Sequence, residues 1–212
     1  VIKLTDNLES IADQIRLNFS AKDAAREKTL PLCRETIRHC SNAIRSVHRQ
    51  KFDLAAEMLQ SAHNLLNEIE QIVAEHDELG NTGFVRDAQK EFTEGSVTLA
   101  LVTGNQFPEP DELGVEPAAY LNGLGEAAGE LRRYLLDSIR RDDLSRGEEL
   151  LSAMDDIYGV LVTMDFPDAI TGGLRRTTDM VRGVLERTRS DMTLAIRQKE
   201  LALKLGKFMK NS

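Results

Sequence analysis

The sequence has 212 residues, 29% charged, 41% hydrophobic and only 5% aromatic, with no Trp and a formal net charge of −8. That length suits a single domain over residues 1–212, and the charge-rich, aromatic-poor mixture is that of long helices rather than strands. The acidity excludes a generic polyanion coat, the two cysteines exclude a disulfide framework, and no apolar run is long enough to span a membrane. The chain opens at Val1 without a secretory leader, and Cys33 and Cys40 read as ordinary reduced helix residues, so a cytoplasmic setting is expected.

Breakers are few. Apart from Pro31, the first 79 residues contain neither Gly nor Pro, and they read as two long helices. The first runs from Leu4 to Arg49, with a bend expected at Pro31, which removes a backbone donor and crowds the preceding turn. The second is expected from an N-cap at Asp53 to Leu79, where Gly80-Asn81-Thr82-Gly83 makes a turn. A third helix, Phe84 to Val102, carries Phe84, Val85, Ala88, Phe92 and Leu99 on one stripe and Asp87, Glu91, Glu94 and Thr98 on the other. Gly104 to Pro110 is a loop. A fourth helix spans Pro117 to Arg140, a fifth Glu148 to Met164, and a last helical region follows Gly172-Gly173 from Leu174 to Met209. No strand pair or repeat is visible, and the expected fold is an all-α antiparallel bundle of six or seven helices.

The third helix holds the chemistry. Glu91 and Glu94 are three residues apart, so they project side by side, and the next stretch, Gly95 to Val102, has no charge. A carboxylate at the edge of such a segment is paired or holds a metal, and hard cations prefer oxygen ligands. On the fifth helix Glu149, Ser152 and Asp156 share one face, and Asp156 precedes another uncharged run. If the third and fifth helices pack together, Glu91, Glu94 and Asp156 surround one or two Mg2+ or Mn2+ ions. The plainer alternative is solvated faces and core-edge ion pairs. Glu126 and Glu130 on the fourth helix could join the acids, Glu130 equally as a partner for Arg132 or Arg133.

Positive charge gathers on the first helix. Arg34, Arg38, Arg45 and Arg49 line one face over about four turns, bordered by His48, with Glu35 the one acid between Pro31 and Lys51. A solvated face is the ordinary explanation, but helical surfaces normally balance such runs, and phosphate-tracking arginines account for the imbalance. Scarce aromatics imply loose sequence preference. His39, His48, His63 and His76 suit no paired-histidine hydrolysis, whereas Glu94 suits acceptance of a proton from an attacking water.

Four motifs resemble one family. Val115-Glu116-Pro117-Ala118-Ala119-Tyr120-Leu121-Asn122-Gly123, continuing to Gly129-Glu130-Leu131-Arg132-Arg133, is similar to the acidic-x-Tyr-Leu-x-Gly and Glu-Leu-x-Arg elements of the translin and translin-associated factor X family. Lys22-Asp23-Ala24-Ala25-Arg26-Glu27-Lys28 resembles its first-helix Asp-x-x-Arg-Glu element. Glu91-Phe92-Thr93-Glu94 resembles the Glu-Tyr-Val-Glu of translin-associated factor X, the metal-dependent ribonuclease branch. The resemblance implies that Glu91 and Glu94 are metal ligands. It places the family's catalytic aspartate, in Phe-Leu-x-x-Val-Tyr-Asp, at Asp156 of Leu150-Leu151-Ser152-Ala153-Met154-Asp155-Asp156. Asp155 stands where the family has tyrosine and Ile157 where it has glycine, which leaves Asp155 or Asp156 to face the metal; the helical stripe favours Asp156. Glu130 is carried over as a supporting ligand or a structural ion pair.

The same resemblance implies a translin-like fold and cleavage of single-stranded RNA to 5′-phosphate and 3′-hydroxyl ends. It also implies a closed homo-oligomeric shell, commonly an octamer, with RNA inside, or a mixed assembly with a translin-type chain. The alternative within the family is a non-catalytic protein of translin type that binds single-stranded nucleic acid.

Overall fold

The computed structural model describes residues 5–211, which form helices joined by short connections, with no strand among them. Six long helices are α1 (Leu8–His48), α2 (Phe52–Ala74), α4 (Gly83–Thr103), α6 (Pro117–Arg140), α7 (Gly147–Leu161) and α9 (Leu174–Asn211). Three single turns, α3 (Asp77–Gly80), α5 (Pro110–Leu113) and α8 (Asp168–Thr171), sit in the connections. The all-helical fold expected from periodicity is what forms.

Details at the helix ends differ from expectation. The expected start at Leu4 lies outside the described residues. α1 continues through Pro31 as one 41-residue helix. Gln50, at φ 59°, turns the chain into α2. That helix opens at Phe52, so Asp53 does not cap it but lies in its first turn, where a carboxylate favours the helix dipole. α2 stops at Ala74 rather than Leu79, and the remainder winds into α3. The expected loop after Gly104 contains α5, opened by Pro110 and a reciprocal capping box between Glu109 and Glu112.

Most consecutive long helices are antiparallel, but α4 and α6 run the same way. The Glu116 N–H, at the start of α6, donates to Gln89 Oε1 (3.4 Å), and beyond its end Arg146 donates to the carbonyl of Leu101 at 2.9 Å and to that of Val102. The connection through α5 therefore returns along the bundle before α6 begins. α1 follows the same direction: Lys22 Nζ meets Glu78 Oε1 at the end where α4 starts (3.0 Å), and His48, the last residue of α1, meets Glu130 in α6. α9 does too, since Thr177 bonds Asn122 and Arg132 bonds Thr188 and Asp191.

The core is continuous through this arrangement, from Cys40, Ala43 and Val47 past Ala62, Ile69, Val85 and Phe92 to Leu131, Met154, Leu161, Val181 and Met192. Small residues set the helix spacing. At Gly123 an added Cβ would lie 2.6 Å from Thr93 Cβ and 2.7 Å from the Lys90 carbonyl oxygen, so α6 rests almost backbone to backbone on α4. That close seat brings the next turn of α6 beside the acidic face of α4.

Candidate metal centre and nucleic-acid interface

Glu91 and Glu94 project from α4 as the three-residue spacing requires, and α6 supplies a third carboxylate, Glu126, one turn past Gly123. Carboxylate oxygens of Glu91, Glu94 and Glu126 all lie within 4.8 Å of one another. That is the separation expected of ligands sharing one divalent ion at about 2.0–2.6 Å from each oxygen. Glu94 is only 9% exposed. The nearest cation is Lys90, whose Nζ lies 2.9 Å from Glu126 and 3.9 Å from Asp87.

One ammonium does not neutralise three crowded acids. Burial, then the charges of Glu91, Glu126 and Glu130, push the Glu94 carboxyl up to about 8, with Lys90 opposing. Burial and Glu126 likewise raise Glu91. Burial alone would lower Lys90, but its hydrogen bond and attraction to Glu126 outweigh that and raise it. Burial, followed by the charges of Glu91 and Glu94, pushes the Cys40 thiol on α1 far up, so Cys40 is a neutral packing group and not a nucleophile.

Glu130, one turn beyond Glu126, belongs to a second layer. His48 Nε2 lies 2.5 Å from Glu130 Oε2, and Arg133 Nη1 lies 3.6 Å from the same oxygen. The His48 side chain is 5% exposed, and its Nδ1 is a buried atom without a partner among the described residues, as is Thr98 Oγ1 one turn past Glu94. His48, expected to border the arginine face as a substrate contact, is thus buried at the edge of that face and occupied by Glu130. It turns inward and holds Glu130 beside the acids.

Asp156 does not join the cluster. It is exposed on α7, while Asp155 pairs with Arg189 (2.9 Å) and Glu149 with Arg146 (2.6 Å). The physical reason is packing: α7 lies chiefly against α6 and α9 and meets α4 only slightly, so Asp156 is left on an exposed face away from Glu91 and Glu94. Glu126, only a minor candidate on sequence grounds, takes the third corner. The signal for it is Gly123-Leu124-Gly125 immediately before it, since paired glycines mark where another backbone comes close.

Arg34, Arg38, Arg45 and Arg49 are all exposed along α1. Arg38 bonds Glu35 (2.7 Å) and Arg45 reaches Asn42 Oδ1 (3.4 Å), whereas Arg34 and Arg49 have no ion-pair partner among the described residues. At about 100° per residue, His48 falls between the buried face of α1 and this stripe. The stripe thus lies on the side of α1 where His48 meets Glu130 of α6. His63 stacks on Phe92, with ring centroids 5.5 Å apart, and serves packing.

Solved structures narrow what a helical bundle with this carboxylate cluster can be. The structure of AfC3PO in complex with duplex RNA matches with a TM-score of 0.80 and 34% identity, covering 88% of this chain and 97% of that one. The crystal structure of AfC3PO matches at 0.79 and 33% over the same shares. The fold is also that of apo-NeC3PO, at TM-score 0.75 and 17% identity, covering 91% of this chain and 99% of that one. The uncharacterised protein MJ0175 of Methanocaldococcus jannaschii is 30% identical over 191 residues, spanning 87% of this chain and 83% of its own. No protein-family model matches the sequence. The chain belongs to the translin/TRAX family, that of the C3PO complexes.

Proposed function

We propose that this protein is an Mg2+- or Mn2+-dependent endoribonuclease that cleaves single-stranded RNA inside a closed homo-oligomeric shell, with an octamer the expected assembly. The observation that carries this is the convergence of Glu91, Glu94 and Glu126 from two helices within 4.8 Å. The donor set fits a hard divalent cation, because all three ligands are carboxylates, the site is half buried, and the cluster lacks the positive charge it needs. The complex of AfC3PO with duplex RNA supports RNA as the polyanion handled.

A bound divalent ion supplies polarisation of a phosphoryl oxygen and a water acidic enough to attack it. Glu91 and Glu126 hold the site from α4 and α6. Glu94, whose carboxyl burial and the neighbouring acids hold at about 8 while the cluster is metal-free, would lose that proton on ligating the ion; left unligated, it would instead be the carboxylate suited to accept a proton from the attacking water. His48 keeps Glu130 turned towards the cluster, and the α1 arginines grip the phosphate backbone. The exposed position of Asp156 favours a second reading, RNA binding without cleavage, as in translin.

The test is incubation of labelled single-stranded and duplex RNA with the protein, in Mg2+ or in chelator. Cleavage in Mg2+ only, reduced about 100-fold or more by Glu94→Gln with binding intact, is the expected result. Metal-independent binding without cleavage selects the translin-like reading.

A further inference from the structure

A cavity of about 680 Å³ opens beside the carboxylate cluster, lined by Arg86 and Lys90 of α4, Asn122 and Glu126 of α6, and Arg176 and Thr177 of α9. It meets the cluster at Glu126, which Lys90 Nζ reaches at 2.9 Å. Its shape is fixed from within. Asn122 accepts a hydrogen bond from Thr177 Oγ1 (2.7 Å) and donates to the Thr171 carbonyl (2.8 Å), tying the start of α9 to α6.

The two guanidiniums on this lining lack a counter-charge. Neither Arg86 nor Arg176 has an ion-pair partner among the described residues, and Arg86 reaches only Asn81 Oδ1, at 3.1 Å. Both lie near the start of a helix, where the macrodipole disfavours positive charge, and neither α4 nor α9 has an acid in its first turn to relieve it. The acids on the lining are engaged elsewhere: Glu126 belongs to the cluster, Asp87 leans on Lys90 at 3.9 Å, and Asp168 lies in the first turn of α8. An anion from outside the chain fits here, and the planar fork of arginine matches a phosphate. The cavity falls within the range of about 300–1,000 Å³ for small-ligand sites, which leaves room for a whole nucleotide.

We propose that this cavity is a nucleotide subsite. It holds the RNA nucleotide next to the one at the carboxylates, with its phosphates on Arg86 and Arg176. The order of residues along α4 sets the course of the strand: Arg86 stands one turn, about 5–6 Å, before Lys90, and Glu91 and Glu94 follow. A strand crossing the cluster therefore continues towards the starts of α4 and α6, while His48 and Glu130 lie on the cluster's other side. Arg86 and Arg176 are positioning residues, since they hold a flanking phosphate and not the reacting atoms. The inference rests on the proposal that RNA is handled at the cluster, and it adds a contact separate from the α1 stripe.

The experiment is filter binding of a short labelled single-stranded RNA to the full chain in chelator, across a salt series, with melts of the RNA-free protein. Arg86→Gln with Arg176→Gln should weaken binding about tenfold or more, and make the log–log salt slope shallower by about 0.7 for each phosphate released. Arg140→Gln with Arg182→Gln removes the same charge from exposed ion pairs with Asp137 and Glu186. That control should leave binding within about twofold of the wild type, because solvent and salt screen distant charges. The melting temperature of the first variant should equal or exceed that of the wild type, since its arginines oppose the helix dipoles. Crosslinking of the wild type to RNA carrying thiouridine should place adducts on the tryptic peptide 177–182, whose Thr177 and Met180 line the cavity. Unchanged binding, equal weakening by the two double variants, weakening joined to a lower melting temperature, or adducts confined to other peptides overturns the subsite. A wild type that binds no RNA overturns it together with the proposal of RNA handling. Binding is read in chelator, so a wild type that binds but does not cleave in Mg2+ counts against the hydrolysis alone.

Discussion

Burial and the neighbouring carboxylates of Glu91, Glu126 and Glu130 hold the metal-free Glu94 carboxyl at about 8, against about 4.3 in an unfolded chain. Between those values the folded protein binds the extra proton, so the Glu94 contribution makes stability fall as pH rises from about 5 to about 8. In chelator, thermal melts should show Tm declining over that range, and Glu94→Gln should flatten the decline, with Tm at pH 8.5 above that of the wild type by about 2–4 °C per kcal/mol recovered. Metal binding runs the opposite way. Apparent affinity for Mn2+ should rise with pH up to about 8 and then level, and calorimetry in buffers of different ionisation heat should register proton release near pH 7. The ligand set is separable by substitution. Glu126→Gln should weaken Mn2+ binding by at least the 10–100-fold typical of losing an outer partner, while Asp156→Asn should leave it unchanged.

At the scale of elements, the close seat of α6 on α4 is what turns two glutamates into a three-carboxylate site. Gly123→Ala would force a Cβ to within 2.7 Å of the Lys90 carbonyl oxygen, a backbone atom that cannot swing aside. We expect it to cost about 1–3 kcal/mol in a denaturant melt and to lower Mn2+ affinity as Glu126 is pushed away from Glu91 and Glu94. An unchanged affinity would place Glu126 outside the metal's reach.

The same packing explains what is legible in the sequence. Helix identities follow from the near absence of Gly and Pro before residue 80 and from apolar stripes at helical period, both local properties. Glu91 and Glu94 are legible because one helix presents both. Asp156 rests on a motif whose neighbouring residues differ here, and the neighbour of α4 is decided by a long-range approach, Gly123 on Thr93, that periodicity does not encode. His48 is ambiguous for a similar reason: on α1 it sits between two faces, and only the position of Glu130 shows which way it turns.

For the whole molecule, a net charge of −8 and an arginine stripe on α1 coexist by segregation. Arg34, Arg38, Arg45 and Arg49 form one exposed line, while most acids lie elsewhere. Arg38→Glu with Arg45→Glu should weaken RNA binding several-fold at low salt and make the salt dependence shallower, by about 0.7 in the log–log slope for each single-strand phosphate that is no longer neutralised. Filter binding across a salt series checks this. An unaltered slope would reduce the stripe to ordinary surface charge.

The measurement that bears most directly on the acid cluster is anomalous diffraction from crystals soaked in Mn2+. A peak bounded by the carboxylates of Glu91, Glu94 and Glu126, absent from Glu94→Gln crystals, is the predicted result. No peak there at saturating Mn2+, or one held by Asp156 in its place, would contradict it.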